Sequence, residues 1–273
     1  MNQKICIGQT IYHPTGRAKE YSLLACNFYN GCSARCAYCF HRNGDYSEIV
    51  GGDIPTLKRG LCDDETALRK FRIALKDNLA ELQEHGLLLN FVSDPFLPET
   101  TWLNQQAIYI CHQNNVPVKV LTKQTKWVNN FIWDHKVKNK LIACGFTLTG
   151  HDELEPGAAS NQMRIEAMKR LNDYGYKTFA SIEPIIDFNS SFQMIEQTLG
   201  FCDVYMIGLE RDKAYNRAEV KAFVLKVMEK VREFPDVKIY WKNSMKGYFP
   251  EIRTTNNTQI IRNVSGFDIF RKE

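Results

Sequence analysis

A chain of 273 residues with 44% apolar side chains can bury a sizeable core, which excludes a disordered or fibrous protein. Its net charge of +4 permits an anionic partner such as nucleic acid without demanding one. Apart from one tight group, its nine cysteines are scattered at Cys6, Cys26, Cys62, Cys111, Cys144 and Cys202, so free thiols are expected rather than a disulfide framework. No run of 18 uncharged apolar residues occurs, and the start MNQKICIGQT lacks the basic and apolar regions of a secretion signal, so a cytoplasmic location and no membrane partner are expected.

In chain order, short apolar runs alternate with helical patterns. The runs are YSLLAC (21–26), GLLLNFV (86–92), VPVKVLT (116–122), LIACGFTLT (141–149), YKTFASI (176–182), VYMIGL (204–209) and VKIYW (237–241). Being apolar almost throughout, they read as parallel strands buried on both faces. Between them, Leu68, Phe71, Leu75, Leu79 and Leu82 fall at helical spacing, as do Met168, Leu171 and Tyr174. Ser160 is placed to cap the second of these helices and Gly175 to stop it. Six or seven strand-helix units in succession predict an α/β fold in which they wind into a barrel or open barrel, with a doubly wound sheet as the alternative. No composition break divides residues 1–248, whereas 249–273 turn polar and irregular and read as a C-terminal extension packed on or beside the barrel.

In such a barrel the functional side chains stand where strands end. The ends are polar: Ser93 and Asp94, Thr122 and Lys123, Thr147 and Thr149, Ser181 and Glu183, Gly208 and Glu210, Lys242 and Ser244. Glu183, Glu210, Arg211, Trp241 and Lys242 are expected to line one side of a common mouth and to touch substrate. The competing reading for Glu183 and Lys242 is an ion pair across neighbouring strand ends. WKNSMKGY (241–248) mixes lysines with aromatics, which suits a base and a phosphate, or an ordinary amphipathic surface loop.

The stretch NGCSARCAYCFHRN (30–43) places Cys32, Cys36 and Cys39 at C-x3-C-x2-C, with small residues between them that let the backbone pass close to a metal centre. Three thiolates can hold an iron–sulfur cluster while leaving one iron open. A structural zinc site would instead need His41 or a distant cysteine to complete its tetrahedron.

C-x3-C-x2-C on a loop after the first barrel strand, with Tyr38 just before the last cysteine, resembles the signature of the radical S-adenosylmethionine (radical SAM) superfamily. VSDPFLPE (92–99), LTK (121–123) and EPII (183–186) are similar to motifs of its spore photoproduct lyase-like branch. The resemblance spans about residues 20–245. It implies a partial (βα)6-type TIM barrel and a [4Fe–4S] cluster on Cys32, Cys36 and Cys39, whose open iron binds S-adenosylmethionine. Reduction by a partner such as flavodoxin or ferredoxin would cleave that cofactor to a 5′-deoxyadenosyl radical, which takes a hydrogen atom from substrate. It further implies that Ser93, Asp94 and Lys123 hold the methionine end, that Thr147 or Thr149 reaches the ribose or carboxylate, that Tyr38 and Phe40 flank the adenine, and that Glu183 belongs to the same cofactor-binding set.

Two departures limit the carry-over. The lyases have a cysteine immediately before the threonine–serine–aspartate run, where this chain has Phe91 and then Val92, and a tyrosine after the last cluster cysteine, where it has Phe40. The cofactor site is therefore expected without the lyase activity. A nucleic acid or nucleotide substrate is favoured over a peptide or metabolite, and the rival function is a non-catalytic zinc-binding accessory protein.

Overall fold

The computed structural model describes residues 10–43, 47–132, 139–210, 213–253, 258–261 and 269–270. The chain opens with β1 (Ile11–Tyr12), α1 (Gly16–Lys19), β2 (Ala25–Cys26) and β3 (Tyr29–Asn30). Short helices α2 (Phe40–Asn43) and α3 (Ser47–Val50) precede β4 (Thr56–Leu57), α4 (Asp64–Asp77) and α5 (Leu79–His85). The repeating part is β5 (Leu87–Leu89), α6 (Thr101–Gln113), β6 (Val118–Thr122), α7 (Val128–Ile132), β7 (Ile142–Thr147), α8 (Asn161–Asp173), β8 (Lys177–Ile185), α9 (Phe188–Thr198), β9 (Val204–Leu209), α10 (Arg217–Val231), β10 (Lys238–Trp241) and α11 (Asn243–Tyr248). All seven apolar runs contain a strand, and these seven are parallel neighbours in one eight-stranded sheet of order β1-β2-β5-β6-β7-β8-β9-β10. The eighth strand, β1, joins the edge antiparallel to β2. The fold is thus mixed α/β around a mainly parallel sheet, compatible with a partial barrel.

Alternation along each strand sorts the side chains into two layers. Cys26, Leu87, Leu89, Val118, Val120, Cys144, Phe146, Ile182, Ile207 and Trp241 belong to the larger core, which also takes in the apolar stripes of the helices. Ala25, Leu88, Ala143, Phe179, Val204, Met206 and Tyr240 form the second cluster, joined by Tyr21 from the N-terminal segment. Small residues make room on that inner face. A Cβ at Gly145 would lie 2.2 Å from the Phe179 ring, and one at Gly208 would lie 2.7 Å from the Glu183 carboxylate.

Three local readings need adjusting. The apolar stripe from Leu68 to Leu82 belongs to two helices, because the chain turns at Asn78, whose side chain donates back to the Ala74 carbonyl at 2.8 Å. Tyr174 ends α8 half-exposed instead of joining its buried face, although Ser160 caps that helix through Met163 N at 3.2 Å as expected. Residues 241–248 are largely the short helix α11, with Met245 buried, and not a surface loop. Among the described residues seven cysteines are free thiols and Cys62 is disulfide-bonded. The extension is stitched to the core: Ile260 bridges Ile239 of β10, Gln259 Nε2 donates to three backbone carbonyls from Val231 to Val237, and Ile269 packs with the inner-face cluster.

The loop after β7 is pinned to the start of α9 by His151. Its Nε2 lies 2.6 Å from Asp187 Oδ2 and its Nδ1 lies 2.7 Å from Glu153 Oε1. Partial burial pulls the imidazolium pKa down, but the two carboxylates outweigh that and raise it. Asp187 is pushed up by its burial, yet hydrogen bonds from Ser190, His151 and Asn189 N bring it down to about 2. The raised histidine contributes stability that is complete below the unfolded value of about 6.5 and lost as pH rises through the folded one; the depressed aspartate contributes above about 4 and loses it on acidification. His151→Gln should therefore lower Tm more at pH 6 than at pH 9, and an equal loss at both would show that the histidine stays uncharged.

Candidate functional site

The cysteine loop leaves β3 at Gly31, whose φ of +79° and crowded surroundings admit no side chain: a Cβ would stand 2.6 Å from the Ile54 carbonyl. Gly31 N donates to Val50 O and Cys32 N to Gly52 O, each at 2.9 Å. On its other side the loop is held by the segment after β7. Ala37 N donates to Leu154 O at 2.8 Å and Gly157 N to Ala34 O at 3.0 Å. Contact there is backbone on backbone, since a Cβ on Gly157 would lie 2.3 Å from Ser33 O.

Cys36 is buried and Cys32 and Cys39 half-buried. Burial raises the Cys32 thiol to about 11, helped by the charge of Asp94, and burial likewise raises Cys36. Such thiols ionise when a positive centre sits among them. Among the described residues no three His, Cys, Asp or Glu side chains are gathered closely enough to hold a single metal ion. The side chain of His41 lies outside the described residues.

Around this loop the predicted residues divide by role. Ser93 faces the protein interior with its hydroxyl unpartnered. Lys123 places its ammonium 5.6 Å from the Tyr38 ring centre; burial lowers its pKa, but Cys36 and Glu155 outweigh this and raise it. Tyr38 donates to Glu155, which forms a buried pair with Arg164, and Arg164 Nη1 donates to Thr147 O at 2.6 Å. Tyr38 is thus tied into the wall of the site. Phe40 stacks on Phe91 with centroids 5.6 Å apart, and Phe91 tilts against Tyr21 at 5.9 Å. The two positions at which the sequence departs from the lyases are therefore in contact with each other.

Five of the expected contact residues are engaged within the fold. Asp94 spends its carboxylate inside the fold, accepting from Thr122 Oγ1 at 2.6 Å, Lys123 N at 2.7 Å and Phe96 N at 2.9 Å, which ties the end of β5 to that of β6. Thr149 is fully buried and its hydroxyl accepts from His151 N within the loop. Trp241 points to the outer core because alternation sends Tyr240 and Lys242 inward and the residue between them out. Glu183 and Lys242 form the ion pair that was the competing reading. Lys242 is fully buried between Glu183 and Glu20, while Glu183 also accepts from Arg17 at 3.1 Å and Tyr21 at 3.1 Å. Glu210 is half-buried at the rim, 4.0 Å from Lys213, and Arg211 lies outside the described residues.

Sequence reasoning missed the partners from the N-terminal segment, Arg17, Glu20 and Tyr21, because nothing in their spacing shows that α1 folds over a strand end more than 160 residues away. Gly157 carried a weak signal, the Pro156-Gly157 turn.

No protein-family model and no curated protein sequence matches the chain. Solved structures do. Spore photoproduct lyase complexed with dinucleoside spore photoproduct aligns at TM-score 0.63 and 14% identity, over 80% of this chain and 76% of that one. The chain has the spore photoproduct lyase fold. A tyrosine-to-phenylalanine variant of the lyase aligns at TM-score 0.66 with 13% identity, over 85% and 80%. SuiB of Streptococcus suis bound to S-adenosylmethionine aligns at 0.56 with 11% identity, over 82% of this chain but 52% of that one.

Two outcomes test this geometry. Gly157→Ala should sharply lower Tm, whereas Gly200→Ala, where an added Cβ meets nothing within 4 Å, should leave it unchanged. Lys242→Met should destabilise the fold by about 3–5 kcal/mol in denaturant unfolding, because it takes the ammonium from between Glu20 and Glu183 and leaves the buried Glu20 without a cation; a loss within 1 kcal/mol would show the pair to be idle.

Proposed function

We propose that this chain is a radical SAM enzyme, with a [4Fe–4S] cluster on Cys32, Cys36 and Cys39 and S-adenosylmethionine bound between the cysteine loop and the ends of β5 and β6. The observation that carries this reading is three buried or half-buried thiols on one braced loop, two of which, Cys32 and Cys36, feel the positive charge of Lys123. When bound, the cluster and cofactor would supply one-electron cleavage of the sulfonium and hydrogen-atom abstraction, given an electron from a partner such as flavodoxin or ferredoxin.

The chain's own groups have simpler tasks. The Lys123 ammonium is suited to the methionine carboxylate, and the unpartnered Ser93 hydroxyl to a second polar atom of that end. Asp94 acts on both from behind, since it holds the ends of β5 and β6 together. Thr147 fixes the wall through its carbonyl, and Phe40 supplies an apolar face on the way from the loop to the floor. Glu210 is left as a rim contact for substrate. A nucleotide is the favoured substrate class because the lyase of the same fold binds a dinucleoside. The lyase reaction itself is not proposed: the cysteine and tyrosine positions of that enzyme carry a stacked pair of phenylalanines here, which have no transferable hydrogen.

Anaerobically reconstituted protein should be brown, with about four irons per chain. With dithionite and S-adenosylmethionine it should release 5′-deoxyadenosine without any substrate. Cys32→Ala, Cys36→Ala and Cys39→Ala should each lose the iron. Lys123→Met should keep it and bind S-adenosylmethionine about 1–3 kcal/mol more weakly, the cost of one charged hydrogen-bond partner. A colourless protein holding one zinc would overturn the proposal in favour of a structural metal site.

A further inference from the structure

One buried polar group at the foot of the mouth has no role in holding the fold. Asn90 follows β5, and its N–H donates to Cys26 O at 2.8 Å, just as Leu88 N donates to Leu24 O, so the parallel ladder runs through it. The register of the ladder, continued one residue past Leu89, places it beside Leu121 of β6, which packs against the inner-face cluster. The residue is 3% exposed, and neither its Nδ2 nor its Oδ1 has a hydrogen-bond partner. Among the described residues it is the one buried carboxamide with both ends unpartnered; Asn30 and Asn104 each use their amide nitrogen. Asn27, its neighbour across the ladder, is occupied: its Oδ1 accepts from Phe91 N at 2.7 Å and Val92 N at 3.1 Å.

A buried donor and acceptor left together are costly, and native proteins keep such groups where a ligand completes them. Asparagine also tolerates the left-handed backbone, which Asn90 adopts at φ +54°, and that alone could account for the residue type. Asn115 shows the ordinary case: the same φ, in the turn after α6, with the side chain exposed. Asn90 differs in being sealed inside the sheet, next to the half-buried Phe91 ring that stacks on Phe40.

We propose that Asn90 is a specificity-determining residue that reads the edge of a substrate nucleobase, its Nδ2 donating to a ring acceptor and its Oδ1 accepting from the adjacent ring donor. Purines and pyrimidines present such adjacent donor and acceptor atoms, and a carboxamide meets them with two bonds. The flat Phe91 ring beside it gives the base a face to lie against. This assignment rests on the nucleotide reading above and makes it specific to one side chain.

The experiment uses the full chain, reconstituted anaerobically, with the dinucleotides TpT, ApA, CpC and GpG as probes in direct binding titrations. S-adenosylmethionine affinity, uncoupled 5′-deoxyadenosine release and Tm are measured alongside. Wild type should bind at least one dinucleotide. Asn90→Gly relieves the left-handed backbone, so Tm should hold or rise, yet affinity for that dinucleotide should fall about tenfold or more, as expected for two lost neutral hydrogen bonds. Asn90→Asp keeps the shape but only accepts, so preference should move toward GpG, whose ring N–H and amino group are two adjacent donors. S-adenosylmethionine affinity and uncoupled release should not change in either variant. Dinucleotide binding within twofold of wild type in Asn90→Gly would overturn the proposal, as would no dinucleotide binding to wild type. A fall in S-adenosylmethionine affinity instead would reassign Asn90 to the cofactor's adenine. Absence of uncoupled release in wild type would sink the radical SAM reading itself, and is thereby told apart from failure of the Asn90 assignment.

Discussion

The backbone contact between Gly157 and the cysteine loop is the constraint on which the rest of the site depends. The loop carries the three thiols but makes few hydrogen bonds of its own: Cys39 N to Cys36 O and Arg42 N to Cys39 O are single turns. Its shape is imposed from outside, by Gly52 and Val50 on one flank and by Leu154 and Gly157 on the other. Because Gly157 has no Cβ, the segment after β7 can press directly on Ser33 and Ala34. That segment is itself fixed by the Glu155–Arg164 pair, which also takes the Tyr38 hydroxyl, and by His151 at the start of α9. Thiol placement in residues 32–39 is therefore decided by residues more than 100 positions later.

On the far side of the mouth the same logic uses charge. Lys242 is out of water between two carboxylates, with its stem against Gly208 and its ammonium 4.2 Å from the Tyr21 ring centre. A buried pair adds little net stability over apolar packing, but removing one partner is expensive, so its effect is to lock geometry. Here it locks the N-terminal segment, through Arg17, Glu20 and Tyr21, to the ends of β8 and β10. That side of the mouth is consequently filled by the chain itself. Toward β5 and β6, by contrast, Ser93 and Asn90 carry buried polar atoms without partners, and Phe91 and Leu121 are half-buried.

Much of this was legible in the sequence, for identifiable reasons. Parallel strands buried on both faces leave uninterrupted apolar runs, so all seven were found, and a strand buried this way must end in polar residues that meet the mouth. The cysteine spacing is local and needs no fold to be read. What the sequence could not show were pairings across distance. Asp94 and Lys242 have the residue types of ligand contacts, and only the three-dimensional arrangement reveals that the first is consumed by Thr122, Lys123 and Phe96 and the second by Glu183 and Glu20. Trp241 differs: the parity of IYWK sets it on the face opposite Tyr240 and Lys242, while its ring at a strand end has the chemistry of a base-stacking residue, and the two signals conflict.

The Phe40–Phe91 contact bears on what kind of reaction the site can run. A tyrosine and a cysteine at these positions would be two transferable hydrogens in series. Two stacked rings are a wall instead, because an aromatic C–H is far too strong to give up its hydrogen to an ordinary carbon radical. Replacing both members, in contact, keeps the packing of the wall while removing the chemistry from it. On the function proposed above, a product radical formed against this wall would have to be resolved by the cofactor or by a group on substrate. Tyr21 is the nearest phenol along the aromatic row, but its hydroxyl is bound to Ser181 at 2.7 Å and to Glu183 at 3.1 Å, and burial together with the Glu183 charge holds its pKa well above the ordinary value. Its oxidation would have to break the network that ties the N-terminal segment to β8, so on the proposed function the wall would shield a reactive intermediate and not pass it on to Tyr21.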